Sequence, residues 1–224
     1  MRKPMQSLLG VACLVLAVQA AQAVPINYSF SGTSVGEVSG SGAPVATKIY
    51  SGTTSIGGTF TYDDAAPAVG YSPVAGYNNA LFTTYSGAFS NMDMTVAGSS
   101  ASADLGVGLV GNNVAITGTI NPIDVLLGYS SASEPAAGFS GFTVGNWTLT
   151  SLAFVFFNGA NTYLGDDLPD TVSATSNLME LFFTSTIGQV QKVRYVLSSV
   201  TEVKPVDVPE PATLSLLALG TAGL

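Results

Sequence analysis

The chain has 224 residues, of which 9% are charged and 47% apolar. Acidic residues outnumber basic ones, 14 to 6, so the formal net charge is −8. This composition predicts one folded domain with a hydrophobic core. The shortage of Lys and Arg argues against nucleic acid as a partner, because phosphate binding depends on those side chains.

The chain also lacks the side chains that most enzymes use. It contains no His and a single Cys, Cys13. A His general base, a thiolate nucleophile and a Cys/His metal site are therefore disfavoured. We expect a protein that is not an enzyme. A carboxylate-based glycoside hydrolase stays open as a third alternative, because it needs only two acidic residues.

Residues 1–23 follow the order of an export signal. Two basic residues, Arg2 and Lys3, precede an apolar run from Leu8 to Val18, and a small-x-small sequence with Ala21 and Ala23 as its small residues comes next. This order predicts a helical signal that signal peptidase cleaves after Ala23. Its removal would leave four basic residues against 14 acidic ones, a net charge of −10.

Residues 24–203 alternate between apolar and polar side chains, which is typical of strands with one buried face. About ten such runs, separated by turn residues, predict an all-β domain. We expect an antiparallel two-sheet sandwich of jelly-roll type. A denser run from Trp147 to Phe157 predicts a central strand that is buried on both faces.

Two acidic clusters interrupt the strands. Asp63-Asp64 forms one, and Asp166-Asp167 with Asp170 forms the other. Asp side chains in turns commonly bond to the local backbone, so a solvated turn is one interpretation of each cluster. Carboxylates in a loop are also the ligands that Ca²⁺ prefers, which makes Asp166, Asp167 and Asp170 candidate ligands. We expect no other cofactor.

The segment from about Ala65 to Ala80 is rich in Gly, Pro, Tyr and Asn and predicts a long surface loop. Tyr71 and Tyr77 lie within it and are candidates for stacking on the sugar rings of a glycan. Trp147, at the start of the densest apolar run, is expected to pack in the core instead.

The strand pattern ends near Val203, and residues 204–208 are predicted to be a linker. Pro209, Glu210 and Pro211 follow, within the sequence V-P-E-P-A-T-L, and residues 212–224 are apolar and predict a short helix. The two prolines favour an extended backbone around Glu210, which suits recognition by another protein.

This tail resembles that of the PEP-CTERM family of exported bacterial proteins, in which the same seven residues start a sorting segment. The resemblance implies that an exosortase, a membrane peptidase-transferase of Gram-negative bacteria that make exopolysaccharide, recognises Pro209, Glu210 and Pro211. It also implies a transient membrane association through the tail. The localisation that it implies is the cell envelope, the outer surface or the extracellular matrix.

The tail departs from the family pattern in length. From Ala212 onward it would form a helix of about 20 Å, at about 1.5 Å per residue. A bilayer core is about 30 Å thick, and no basic cluster follows the apolar segment. We therefore expect a sorting tail at 209–224 that is truncated or degenerate.

Three classes of function remain. The leading interpretation is a non-enzymatic surface or matrix protein that associates with exopolysaccharide. The second is a carbohydrate-binding or adhesive module, which a pocket with aromatic and convergent polar side chains would favour. The third is the hydrolase, which would require two carboxylates facing each other across a cleft.

Overall fold

The computed structural model describes residues 24–74, 80–115, 122–131, 138–163 and 165–204. These ranges contain β-strands and no helix. No helix that could cross a membrane is therefore found among the described residues. The helices predicted for the export signal and the tail lie outside them. The strands are β1 Ile26–Ser39, β2 Ser55–Tyr62, β3 Ala68–Pro73, β4 Leu81–Ser86, β5 Phe89–Val96, β6 Ser99–Ala103, β7 Val107–Val114, β8 Ile123–Ser131, β9 Thr143–Val144, β10 Trp147–Gly159, β11 Ser176–Ser185 and β12 Val190–Glu202.

All twelve strands belong to one hydrogen-bonded sheet with the order β3-β4-β7-β8-β10-β11-β12-β1-β2-β5-β6, and β9 pairs with β10 beside this path. Every pairing is antiparallel. The prediction of an all-β antiparallel fold is therefore confirmed. The finer expectation of two separate sheets in a jelly roll is not confirmed, because the hydrogen bonding runs without a break from β3 to β6.

The sheet is curled, so that strands far apart along it face each other. β1 and β10 are separated by β11 and β12, which corresponds to about 14 Å along a sheet. The rings of Phe30 on β1 and Phe154 on β10 nevertheless meet edge to face, with centroids 5.0 Å apart. Phe89 on β5 stacks on Phe156 on β10 at 6.2 Å. The concave face therefore encloses one aromatic core.

The second half of β10 is buried on both faces, as its apolar sequence predicted, whereas Thr148 near its start is exposed. Phe154 and Phe156 point into the aromatic core and are fully buried. Val155, between them, belongs to a second apolar cluster on the convex face together with Leu127 of β8. A strand covered on both sides carries apolar residues on both faces, which is why the sequence from Leu152 to Phe157 shows no alternation.

The predicted loop from Ala65 to Ala80 is wrong in part, because it contains β3. This strand lies at the edge of the sheet and pairs only with β4. An irregularity between Ala68 and Gly70 and a proline at its last position, Pro73, are features that edge strands tolerate. The same Gly and Pro residues made the segment resemble a loop.

Candidate functional site

One end of the curled sheet is closed by the segment between β10 and β11, residues 160–175, and we call it the sealed end. Leu168 and Val172 of this segment are buried against the core. Three tyrosine hydroxyls from the core also bond to its main chain. These bonds run from Tyr62 Oη to Pro169 O (2.6 Å), from Tyr85 Oη to Asp166 O (2.6 Å) and from Val172 N to Tyr28 Oη (3.1 Å).

Two buried polar side chains hold the ends of the same segment. Asp124 is fully buried, and one of its carboxylate oxygens accepts a hydrogen bond from Tyr163 N at 2.7 Å. Asn158 donates through Nδ2 to Ser173 O at 2.8 Å and accepts from Thr175 N at 3.1 Å. Because buried main-chain groups are costly when unpaired, these bonds fix the path of the segment.

The two acidic clusters identified from the sequence come together at the sealed end. Burial raises the pKa of the Tyr62 hydroxyl well above its usual range, and the negative charges of Asp64 and Asp170 add to that effect. Burial also raises the pKa of Tyr85, with further contributions from the charges of Asp167 and Asp166. Charges from both clusters therefore act on one buried phenol, that of Tyr62.

The predicted Ca²⁺ ligands do not form a compact group. The side chains of Asp166, Asp167 and Asp170 are all exposed. Within the described ranges, no three acidic, His or Cys side chains lie close enough together to hold a metal ion. Ca²⁺ binding at these residues therefore stays a prediction, without a preformed site to support it.

Of the two glycan candidates, only Tyr71 can be placed. It lies on the edge strand β3 and is 68% exposed, and its hydroxyl is near enough to Tyr85 to influence the pKa of that residue. The remaining predicted site residues lie outside the described part of the chain. They are Tyr77, the cleavage-site residues Ala21 and Ala23, and the sorting motif Pro209, Glu210 and Pro211.

The opposite end of β1, β10 and β12 carries an uncharged pocket of 610 Å³, which we call the Trp147 pocket. It combines one aromatic side chain with several amide and hydroxyl groups. Its lining residues are Ser39, Gly40, Ser41, Val45, Ala46, Thr47, Trp147, Gln189, Val190 and Gln191. Sequence reasoning missed this set, because its members come from four separate segments.

A tight turn after β1 forms one side of the Trp147 pocket. Ser39 pairs with Gln191 across the sheet, and its main-chain N–H donates to Ala43 O at 2.7 Å. Gly42 has a φ of +91°, a conformation that side chains other than glycine rarely adopt. The turn is held against β12 by a bond from Gly40 N to Val190 O of 2.8 Å.

A partly buried carboxylate, that of Glu37, supports the pocket from behind. Glu37 Oε2 accepts hydrogen bonds of 2.6 Å from both Gln191 Nε2 and Ile49 N, and its Oε1 accepts one of 2.9 Å from Tyr50 N. Gln191 is only 3% exposed and also donates to Thr47 O at 3.3 Å. The loop after β1 and the first residues of β12 are thus fixed to each other before any ligand arrives.

Trp147 packs against the aromatic core, as the sequence predicted, but only with part of its surface. Its ring is half-buried, and the remainder contributes to the pocket. Among the residues of the pocket, only Trp147 had been considered from the sequence, as the first residue of a central strand. Nothing in the sequence connected it with Ser39 or Gln191.

Comparison with known proteins yields no relative: no protein-family model, no curated protein and no solved structure matches the chain. The chemistry of its two ends is therefore the basis for the functional interpretation.

Proposed function

We propose that this protein is exported and is sorted to the cell surface or extracellular matrix of a Gram-negative bacterium through its Pro-Glu-Pro tail. In this proposal signal peptidase removes residues 1–23, and an exosortase processes the tail during a transient membrane association. The body acts without catalysis and associates with exopolysaccharide. The absence of His from the chain and the position of Cys13 in the export segment support the non-enzymatic part.

The observation that carries the proposal is where the folded body ends. β12 finishes at Glu202, and Val203 N makes a last hydrogen bond of 2.7 Å to Asn27 O of β1. Residues 201–204 are exposed. The chain therefore leaves the sheet at the surface shortly before the Pro-Glu-Pro sequence, where a processing enzyme would have access to it.

The sorting proposal is tested by replacing Glu210 with Ala in the full-length gene of the native host. Glu210 offers a single charge between two prolines that restrict the backbone, so we expect processing to stop and the precursor to accumulate in the envelope. The measurement is the mass of the protein in envelope and extracellular fractions.

Glu202→Ala is the matched control, because it removes an exposed carboxylate eight positions upstream, outside the motif. We expect this variant to be processed normally. Deletion of residues 208–224 should leave the melting temperature of the body nearly unchanged. Normal processing of the Glu210 variant, or unfolding of the truncated chain, would contradict the proposal.

The second candidate function is a carbohydrate-binding or adhesive module. The Trp147 pocket favours it, since an aromatic ring beside amides and hydroxyls is the combination expected of such a module. A glycoside hydrolase ranks third, because it would depend on the exposed carboxylates of the sealed end.

The finer architecture expected from the sequence, a jelly-roll sandwich, also remains a proposal. The direct contact of Phe30 with Phe154 supports it, since two parts of the sheet face each other as layers.

A further inference from the structure

We propose that the Trp147 pocket binds an uncharged saccharide, with the Trp147 ring stacking on the apolar face of a sugar ring. This inference rests on the proposed association with exopolysaccharide and assigns a binding site to it. It does not depend on sorting by the tail. The pocket volume of 610 Å³ lies within the range of about 300–1,000 Å³ that is usual for small-ligand sites.

The aromatic contribution comes from the exposed part of Trp147. One side of its indole packs against the core, which limits the orientations of the ring, while the rest remains open at the pocket. A pyranose ring presents a face of C–H groups, and a large flat aromatic surface can cover that face at low entropic cost. The ring is thus preorganised for stacking.

The polar contribution comes from amides and hydroxyls, which can both donate and accept hydrogen bonds as sugar hydroxyls do. Gln189, Ser39 and Ser41 supply such groups at the pocket. Among the described residues, Gln191 uses only its Nε2 in hydrogen bonds, to Glu37 and Thr47. Gln191 is only 3% exposed, so these bonds hold the wall of the pocket in place.

The charge of the pocket restricts the class of saccharide. No charged residue belongs to its described lining, and the nearest carboxylate, Glu37, is occupied by three donors. An acidic glycan would find no cation in the pocket lining and would approach a chain whose net charge is strongly negative. The pocket therefore favours uncharged sugars over uronic-acid or sulfated ones.

Trp147 is the only Trp of the chain, so that its fluorescence reports on the pocket directly. The exported protein is titrated with cellohexaose, maltohexaose, mannohexaose and xylohexaose, with hexagalacturonate as the acidic counterpart. We expect a saturable change in emission with at least one uncharged oligosaccharide and none with hexagalacturonate. No saturable change with any uncharged probe, or a preference for hexagalacturonate, overturns the proposal.

The binding site is then located by measuring the affinity of variants by calorimetric titration with the uncharged oligosaccharide that binds. Trp147→Ala should weaken binding about tenfold or more, since it removes the stacking surface. Gln189→Ala, at an exposed position where folding is not at risk, should also weaken binding. Leu81→Ala is the matched control, because it removes an exposed apolar side chain outside the pocket, and its affinity should stay within about twofold. Tyr71→Ala tests the alternative glycan site that the sequence predicted.

Unchanged affinity in Trp147→Ala and Gln189→Ala, or loss of binding in Tyr71→Ala, would place the glycan site elsewhere and overturn the assignment. Glu210→Ala keeps this test separate from the sorting proposal. A variant that is not processed but still binds the oligosaccharide would support the pocket and the sorting motif independently of each other.

Discussion

The two ends of the curled sheet are built on the same strands, yet they use their polar groups in opposite ways. At the sealed end, the hydroxyls of Tyr28, Tyr62 and Tyr85 bond to the main chain of the segment that covers them. At the other end, the amides and hydroxyls of the Trp147 pocket line an open space. An acidic cluster of the sequence thus marks a segment that is bonded to the core, whereas the pocket proposed to bind a saccharide is lined by uncharged residues.

The two ends should also differ in how substitutions affect the stability of the protein. Tyr62 is fully buried and Tyr85 is 6% exposed, so substitutions at the sealed end should act mainly on stability. Trp147 is only half-buried, so that substitutions there should act more on binding than on folding. The following predictions test this division, beginning with the largest expected effect.

Tyr62→Ala should lower the free energy of unfolding by about 3–5 kcal/mol, because it removes a fully buried aromatic side chain from the core. Urea denaturation measures this loss. Tyr71→Ala, at an exposed edge position, should change stability by less than about 0.5 kcal/mol. Similar losses in the two variants would contradict the burial pattern described for the sealed end.

High pH should destabilise the folded protein. Burial keeps the pKa values of Tyr28, Tyr62 and Tyr85 above the usual 10.0. A folded-state pKa above that of the unfolded chain gives stability that is fully present below about pH 10 and is lost as the pH rises further. The urea midpoint should therefore be lower at about pH 11 than at about pH 8. An unchanged midpoint would show that these phenols ionise as easily in the folded state as in the unfolded one.

Two conservative substitutions compare hydroxyls from the two ends. Tyr62→Phe removes the bond to Pro169 O and should cost about 1 kcal/mol. Tyr50 lies beside the network of Glu37, and its buried hydroxyl has no hydrogen-bond partner among the described residues. Tyr50→Phe should therefore leave stability unchanged or raise it slightly. Thermal denaturation of both variants measures these effects. A larger loss of stability in Tyr50→Phe than in Tyr62→Phe would contradict the prediction.

The smallest effects are expected from the exposed carboxylates of the sealed end. Asp166→Ala and Asp170→Ala should each change stability by less than about 0.5 kcal/mol, because only the main-chain oxygen of Asp166 bonds to the core. Calorimetry with millimolar Ca²⁺ tests the metal prediction on the same proteins. Heat in the parent chain that disappears in both variants would establish a weak site, and no heat at this concentration would end that hypothesis.

Much of the fold could be predicted from local sequence. Alternation revealed β2 and β5, and an apolar run revealed β10, because each pattern reports the burial of a single strand. The pairing of those strands could not be predicted in the same way. Contact between Phe30 and Phe154 depends on the curl of the sheet and on the pairing of β1 with β12, the first and last strands of the chain described.

The candidate site shows the same limit. Asp166 and Asp170 attracted attention because acidic clusters are visible in a sequence, and the structure places them on an exposed segment. In the sequence, nothing distinguishes Ser39 and Gln191 from other strand residues. The antiparallel register of β1 and β12 brings them together in the structure. Only that long-range pairing, together with the partly buried carboxylate of Glu37, makes them part of a pocket.

The hydrogen bond between Val203 and Asn27 has a consequence for how the protein would be displayed. It brings the first and the last strand together where the body begins and ends, so that the chain enters and leaves at a single pole. Ser39, at the far end of β1, belongs to the Trp147 pocket, and a strand of that length spans about 40 Å. If the proposed sorting tail tethers the body, the Trp147 pocket would lie at the end of β1 opposite the attachment point.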